Sequence, residues 1–118
     1  MLGRHCILEC YDCEHDWLKN QDSLEEILKQ SALESGATVL HSYFHKFDKG
    51  EGVTGVIALS ESHISVHTWP EHGYMAIDIF MCGDCDPQLA ADFIISNVNI
   101  GAFSIDIFER GNEVVVSQ

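Results

Sequence analysis

The sequence predicts an α+β domain, a two-layer sandwich in which two helices cover one face of a largely antiparallel β-sheet. Three observations carry that expectation. Segments of period two outnumber segments of helical period, which occur only twice. Three residues, Ser60-Glu61-Ser62, separate two of the strand-like runs, a gap that suits a hairpin. The length of 118 residues suits a single layered core and leaves an isolated monomer marginal, so one domain over 1–118 is expected, with a dimer favoured.

His5 to Tyr11 sets Cys6, Leu8 and Cys10 against Ile7, Glu9 and Tyr11, a strand with unlike faces. Cys13 to Asn20 reads as a polar connection whose Trp17 and Leu18 fold back onto the core. Ser23 with Glu26 forms a capping box, Leu24, Ile27, Leu28 and Ala32 make one helical stripe, and Gly36 ends that helix. Thr38 to Phe47 is a second strand, with Val39, His41, Tyr43, His45 and Phe47 on one face. A glycine-containing loop, Asp48 to Gly52, follows it.

Val53 to Leu59 and His63 to Trp69 then pair as the hairpin. Pro70 to Gly73 turns the chain into a strand, Tyr74 to Met81, which delivers Cys82 to its end. Asp86-Pro87 opens a second helix with Leu89, Phe93, Ile94 and Val98 as its buried stripe. Ala102 to Phe108 and Val114 to Ser117 flank Arg110-Gly111-Asn112 as a terminal hairpin. No internal repeat, low-complexity tract or linker interrupts the chain.

Nineteen acidic against six basic residues give a formal net charge of -13. Such a chain repels nucleic acid and anionic membrane and suits a cationic small-molecule substrate. It has no apolar run of membrane-spanning length, and Met1 to Cys13 lacks the basic start and apolar core of a signal peptide, so a cytoplasmic location is expected. Five cysteines without a secretory context read as thiols rather than a disulfide framework.

The stretch Leu59 to Glu71 is where chemistry is expected, because it places hydroxyls, imidazoles and carboxylates on a strand that apolar side chains would ordinarily fill. Ser62 follows Glu61 at a tight turn, with Thr54 and His67 on neighbouring strands. It reads either as a small polar turn residue or as a hydroxyl activated by a nearby base. His63 and His67 lie about 13 Å apart on an extended strand and cannot share one metal ion. Cys10-x-x-Cys13 and Cys82-x-x-Cys85 together offer the ligands of a structural zinc site, although far beyond the usual separation of such pairs. Against that stand small, buried core thiols.

Ser60-Glu61-Ser62-His63-Ile64-Ser65-Val66-His67-Thr68-Trp69-Pro70-Glu71, with Gly73-Tyr74, Asp78, Phe80 and Cys82-Gly83, closely resembles the signature of the prokaryotic S-adenosylmethionine decarboxylases. Gly3-Arg4-His5, Glu34 to Thr38 and His45-x-Phe47 extend the likeness over most of residues 3 to 87. The resemblance implies a proenzyme that cuts itself between Glu61 and Ser62 into a β chain, 1–61, and an α chain, 62–118. It implies a pyruvoyl group made from Ser62, the only cofactor, which forms a Schiff base with the substrate's α-amine and takes up the electrons released with carbon dioxide. No metal is implied. The product is the aminopropyl donor of spermidine synthesis, and the working form is a homodimer of cleaved protomers.

By the same resemblance His67 assists self-cleavage, together with Thr54, which stands where the family usually has serine. Cys82 returns a proton to the α-carbon, a task that suits a thiol of unperturbed pKa about 8.5. Glu71 binds the ribose hydroxyls, and Phe47 lies near the aromatic that stacks on adenine. Glu9 aligns with a family acid and receives no role. The segment after Pro87 matches little. Relatives with this signature that act on ornithine or arginine supply one alternative, and a non-catalytic zinc-binding or regulatory homologue supplies another.

Overall fold

The computed structural model describes residues 2–114. Its elements in chain order are β1 (Gly3–Tyr11), α1 (His15–Leu18), α2 (Gln21–Glu34), β2 (Val39–Lys46), β3 (Val53–Leu59), β4 (Ser62–Trp69), a 3-10 turn (Pro70–His72), β5 (Tyr74–Cys82), α3 (Pro87–Asn97) and β6 (Ala102–Arg110). The strands form one six-stranded sheet in the order β2, β3, β4, β5, β1, β6. Every pairing is antiparallel. The expected α+β sandwich is therefore the observed one.

Period-two alternation makes the two faces of the sheet unlike. On the inner face Cys6, Leu8, Ile57, Ile64, Ile77 and Ile79 are wholly buried, with Leu24, Leu28, Ala90 and Ile94 of the helices closing the layer. α2 lies across β2 and β3, and α3 across β1 and β5. None of the described helices covers the outer face. Cross-strand register places His41, Ala58, His63, Phe80, His5 and Phe108 in one row of that face, and His45, Thr54, His67, Ala76, Glu9 and Ser104 in another. Among the described helices none is long and apolar enough to cross a membrane.

Three details depart from the sequence expectations, and a fourth lies largely beyond the described residues. The connection after β1 contains the short helix α1, whose Leu18 is buried and whose Trp17 packs at the core edge. α2 begins before the expected capping box: Asn20 is the N-cap and its side chain accepts from the Ser23 N–H, so Ser23 lies inside the helix. The buried stripe of α3 is Pro87, Ala90, Ala91 and Ile94, while Leu89 is 48% exposed. Two small alanines rather than large residues let α3 approach the sheet. Of the last expected strand, the part beyond Val114 lies outside the described residues, and the Val114 N–H closes a turn onto the Gly111 carbonyl.

The polar residues of β4 do not crowd the core as their composition suggests. His63, Ser65 and His67 belong to the outer face, and the buried Thr68 is fully satisfied: its hydroxyl accepts from the Val53 N–H at 2.9 Å and donates to the Leu18 carbonyl at 2.8 Å. That hydroxyl ties α1 to the end of the β3–β4 ribbon. Gly55 on β3 faces Phe44 of β2, and a Cβ there would collide with the Phe44 ring. Gly55→Ala is expected to destabilise the fold by about 1–3 kcal/mol through overpacking. A denaturant midpoint unchanged from wild type would contradict this packing.

Candidate active site

The chain enters β4 through a two-residue connection, Ser60-Glu61, with Leu59 paired to Ser62. A two-residue hairpin ordinarily takes positive φ inside its loop, at Asn or Gly. Here the positive angle falls on Ser62, at φ 137°. That region is almost confined to glycine and costs a residue with a side chain about 1–3 kcal/mol.

Several hydrogen bonds hold the strained turn in place. The Glu61 carbonyl accepts from the Cys82 N–H at 2.9 Å. The Glu61 carboxylate accepts from the Thr38 N–H at 2.9 Å, and the Ser60 N–H donates to the Thr38 carbonyl at 3.0 Å. The Ser62 hydroxyl lies 3.1 Å from His63 Nδ1. Cys82 is exposed at the end of β5, followed by Gly83 at φ 67°. Arg4 braces this loop from beneath, donating to the Cys85 carbonyl at 3.1 Å and pairing with Asp86 at 3.5 Å. A cavity of about 650 Å³ opens beside Cys82, lined also by Leu2, Arg4, Met81 and Asp84.

The other expected site residues are at the opposite end of the sheet. Five strand steps separate Ser62 from His67, about 17 Å. At that end Thr54 Oγ1 is 2.6 Å from His67 Nδ1. The His67 ring packs against Trp69 at 4.2 Å and faces Phe47 at 6.1 Å between centroids. Trp69 stacks on Tyr74 at 5.1 Å, and the Tyr74 hydroxyl donates to Glu9 at 2.6 Å. Burial first, and then that bond to Glu9, raise the Tyr74 hydroxyl above its ordinary pKa. The Phe47 N–H donates to the Gly52 carbonyl at 2.8 Å, closing the loop after β2, and Lys19 and Lys46 hold its Glu51 at 3.3 and 3.8 Å. Phe47, Lys49, His67, Trp69 and Glu71 line a cavity of about 300 Å³.

The structure thus joins Glu61, Ser62 and Cys82, joins Thr54, His67, Phe47 and Glu71, and keeps the two groups apart. The sequence expectation puts Thr54 and His67 on strands neighbouring Ser62, whereas His67 lies on the same strand, β4. Ser62 shares a sheet with them but not an end of it, and counting strand steps would have shown the gap. The Cys82 and Thr38 N–H groups were missed because a backbone donor has no side-chain signature.

Distance also excludes one zinc ion bound by Cys10, Cys13, Cys82 and Cys85. Cys10 pairs with Met75 and Gly3 with Cys82, which puts seven strand steps, about 23 Å, between the ends where the two cysteine pairs begin. Burial pushes the Cys6 thiol up to about 11 and the Cys10 thiol up to about 12, so both are neutral core residues.

Comparison with known proteins matches these elements as one unit. The model of the S-adenosylmethionine decarboxylase family matches residues 4–111. An S-adenosylmethionine decarboxylase proenzyme of Fervidobacterium nodosum is 51% identical over 94 residues, 79% of this chain and 68% of the relative. One of Thermotoga maritima is 45% identical over 111 residues, 93% of this chain and 85% of the relative. A crystal structure of the adenosylmethionine decarboxylase of Aquifex aeolicus superposes with a TM-score of 0.86 at 33% identity, covering 99% of this chain and 95% of that one. The match runs through the Ser62 turn, the Cys82 loop and the His67 end alike, and by it the chain belongs to the prokaryotic S-adenosylmethionine decarboxylase proenzyme family.

Proposed function

We propose that the chain cuts its own backbone between Glu61 and Ser62 to make a pyruvoyl group, and that it then converts S-adenosylmethionine to decarboxylated S-adenosylmethionine, the aminopropyl donor of spermidine synthesis. The observation that carries this is the strained Ser62 beside a carbonyl gripped by the Cys82 N–H. Attack by the Ser62 hydroxyl on that carbonyl places negative charge on the Glu61 oxygen, where the Cys82 donor already points. A donor aimed at developing charge in advance needs no reorganisation when the charge appears. Collapse to an ester releases the strained backbone, and elimination and hydrolysis leave residues 1–61 and 62–118 as separate chains.

The residues present fit a group at position 62: a hydroxyl to make it from, a fixed scissile carbonyl, and a thiol at the same end. The pyruvoyl carbonyl supplies an electron sink for the loss of carbon dioxide. Cys82 is placed to return a proton to the α-carbon, from a side chain exposed to the adjoining 650 Å³ cavity. Glu71 offers two acceptor oxygens to ribose hydroxyls, and Phe47 and Trp69 offer aromatic faces to a sulfonium-bearing nucleoside.

These two sets serve one reaction only if a second copy supplies the missing half. Among its polar residues the outer face, which none of the described helices covers, carries Tyr43, Val56 and Tyr11 at 63%, 45% and 43% exposure. Packing two such faces about a two-fold axis that runs across the strands, two-fold symmetry being the commonest of soluble oligomers, turns the Ser62 end of one protomer toward the His67 end of the other. Each site then consists of Ser62 and Cys82 with the partner's His67, Thr54, Phe47 and Glu71.

Ser62→Ala is expected to abolish both cleavage and activity. Cys82→Ala is expected to cut normally while turnover falls at least ~100-fold, the scale of a lost proton donor. Carbon dioxide release measures turnover, and release from ornithine or arginine with none from S-adenosylmethionine would contradict the substrate proposed. Co-expressing Cys82→Ala with Glu71→Gln tests the shared site. Mixed dimers then regain one intact site, and activity recovers to about a quarter of wild type. No recovery in mixed dimers would contradict sharing.

A further inference from the structure

We propose that His63 is the general base and acid of the first self-cleavage step, a catalytic residue distinct from His67; this rests on the self-cleavage proposed above. Its Nδ1 lies 3.1 Å from the Ser62 hydroxyl, within the reach required of a base before any question of pKa arises. In the tautomer protonated at Nε2, Nδ1 accepts the hydroxyl hydrogen. His67 cannot serve this contact in the same protomer, being five strand steps away, and its own Nδ1 is engaged by Thr54 at 2.6 Å.

The His63 ring is exposed and packs on one side against an aromatic neighbour. Phe80, its cross-strand partner on β5, meets it edge to face at 5.8 Å and 88°. Phe80 is itself flanked by the His5 ring at 5.8 Å and the Arg110 guanidinium at 5.3 Å, and His5 is fixed by Asp78 at 3.0 Å. The neighbouring residue thus does for Ser62 what a remote histidine does in a hydrolase.

The step balances within the chain. Ser62 Oγ gives its proton to His63 Nδ1 and bonds to the Glu61 carbonyl carbon, while the Cys82 N–H holds the oxyanion. The bond from that carbon to the Ser62 nitrogen then breaks, and the nitrogen takes the proton back from Nδ1. An ester at Ser62 Oγ and a free amine at Ser62 result, with no outside acid, base or cofactor consumed. The partner's His67 remains available for the elimination that follows.

The test follows conversion of the intact chain to fragments by denatured mass spectrometry for wild type, His63→Ala, His63→Gln and Ser62→Ala. Both His63 variants are expected to cut at least ~100-fold more slowly than wild type, since glutamine keeps a hydrogen-bond acceptor but cannot carry the proton. Added imidazole is expected to speed the His63→Ala chain, which loss of a merely structural ring would not allow. Circular dichroism identifies a misfolded variant, and if the alanine variant misfolds the glutamine variant decides. Wild-type cleavage rates in a folded His63 variant would overturn the assignment and leave self-cleavage standing. A wild-type chain that never cuts would overturn the proposed function itself.

Discussion

A carbonyl clamped by an N–H from the neighbouring strand organises this molecule: Glu61 to Cys82, 2.9 Å, across the end of β4 and β5. The clamp needs the full β4–β5 ladder behind it, because only that register brings the Cys82 N–H level with residue 61. It needs β2 as well, since Thr38 anchors the Glu61 carboxylate and the Ser60 N–H. With the turn held on both flanks, the unfavourable φ of Ser62 has nowhere to relax. A glycine at 62 would accept the conformation without strain and would have no hydroxyl to use it. The fold sustains strain at the residue that can react.

The second organising fact is that an extended strand cannot bring its two ends together. β4 carries Ser62 at its start and His67 near its finish, and the helices lie on the inner layer, so the outer face joins both ends as one open surface. Half-sites at opposite ends of a flat face suit a partner that presents the same face inverted. The aromatic run from Tyr74 through Trp69 and His67 to Phe47 is packed within one chain. In the proposed dimer, association aligns two formed surfaces rather than building a pocket.

Much of this was legible from residues alone. Alternation marked β1, the Asp86-Pro87 pair marked the start of α3, and the Ser60–Glu71 motif with the Cys82-Gly83 match pointed to Ser62 and Cys82. What escaped has physical reasons. Asn20 outcompetes Ser23 as a cap because α1 delivers the chain into α2 earlier than the hydrophobic stripe suggests. Leu89 follows helical periodicity but lies on the wrong side of a helix drawn close by Ala90 and Ala91. Spacing alone judged His63 by whether it could share a metal with His67, and so passed over the hydroxyl beside it. The backbone donors at Cys82 and Thr38 depend on register, which no single segment encodes.

The intact mass of the freshly purified wild-type protein under denaturing conditions tests the central claim most directly. Self-cleavage predicts two species breaking between Glu61 and Ser62, the second lighter than residues 62–118 by the change from serine to pyruvoyl. A single 13.2 kDa species persisting after long incubation would contradict it.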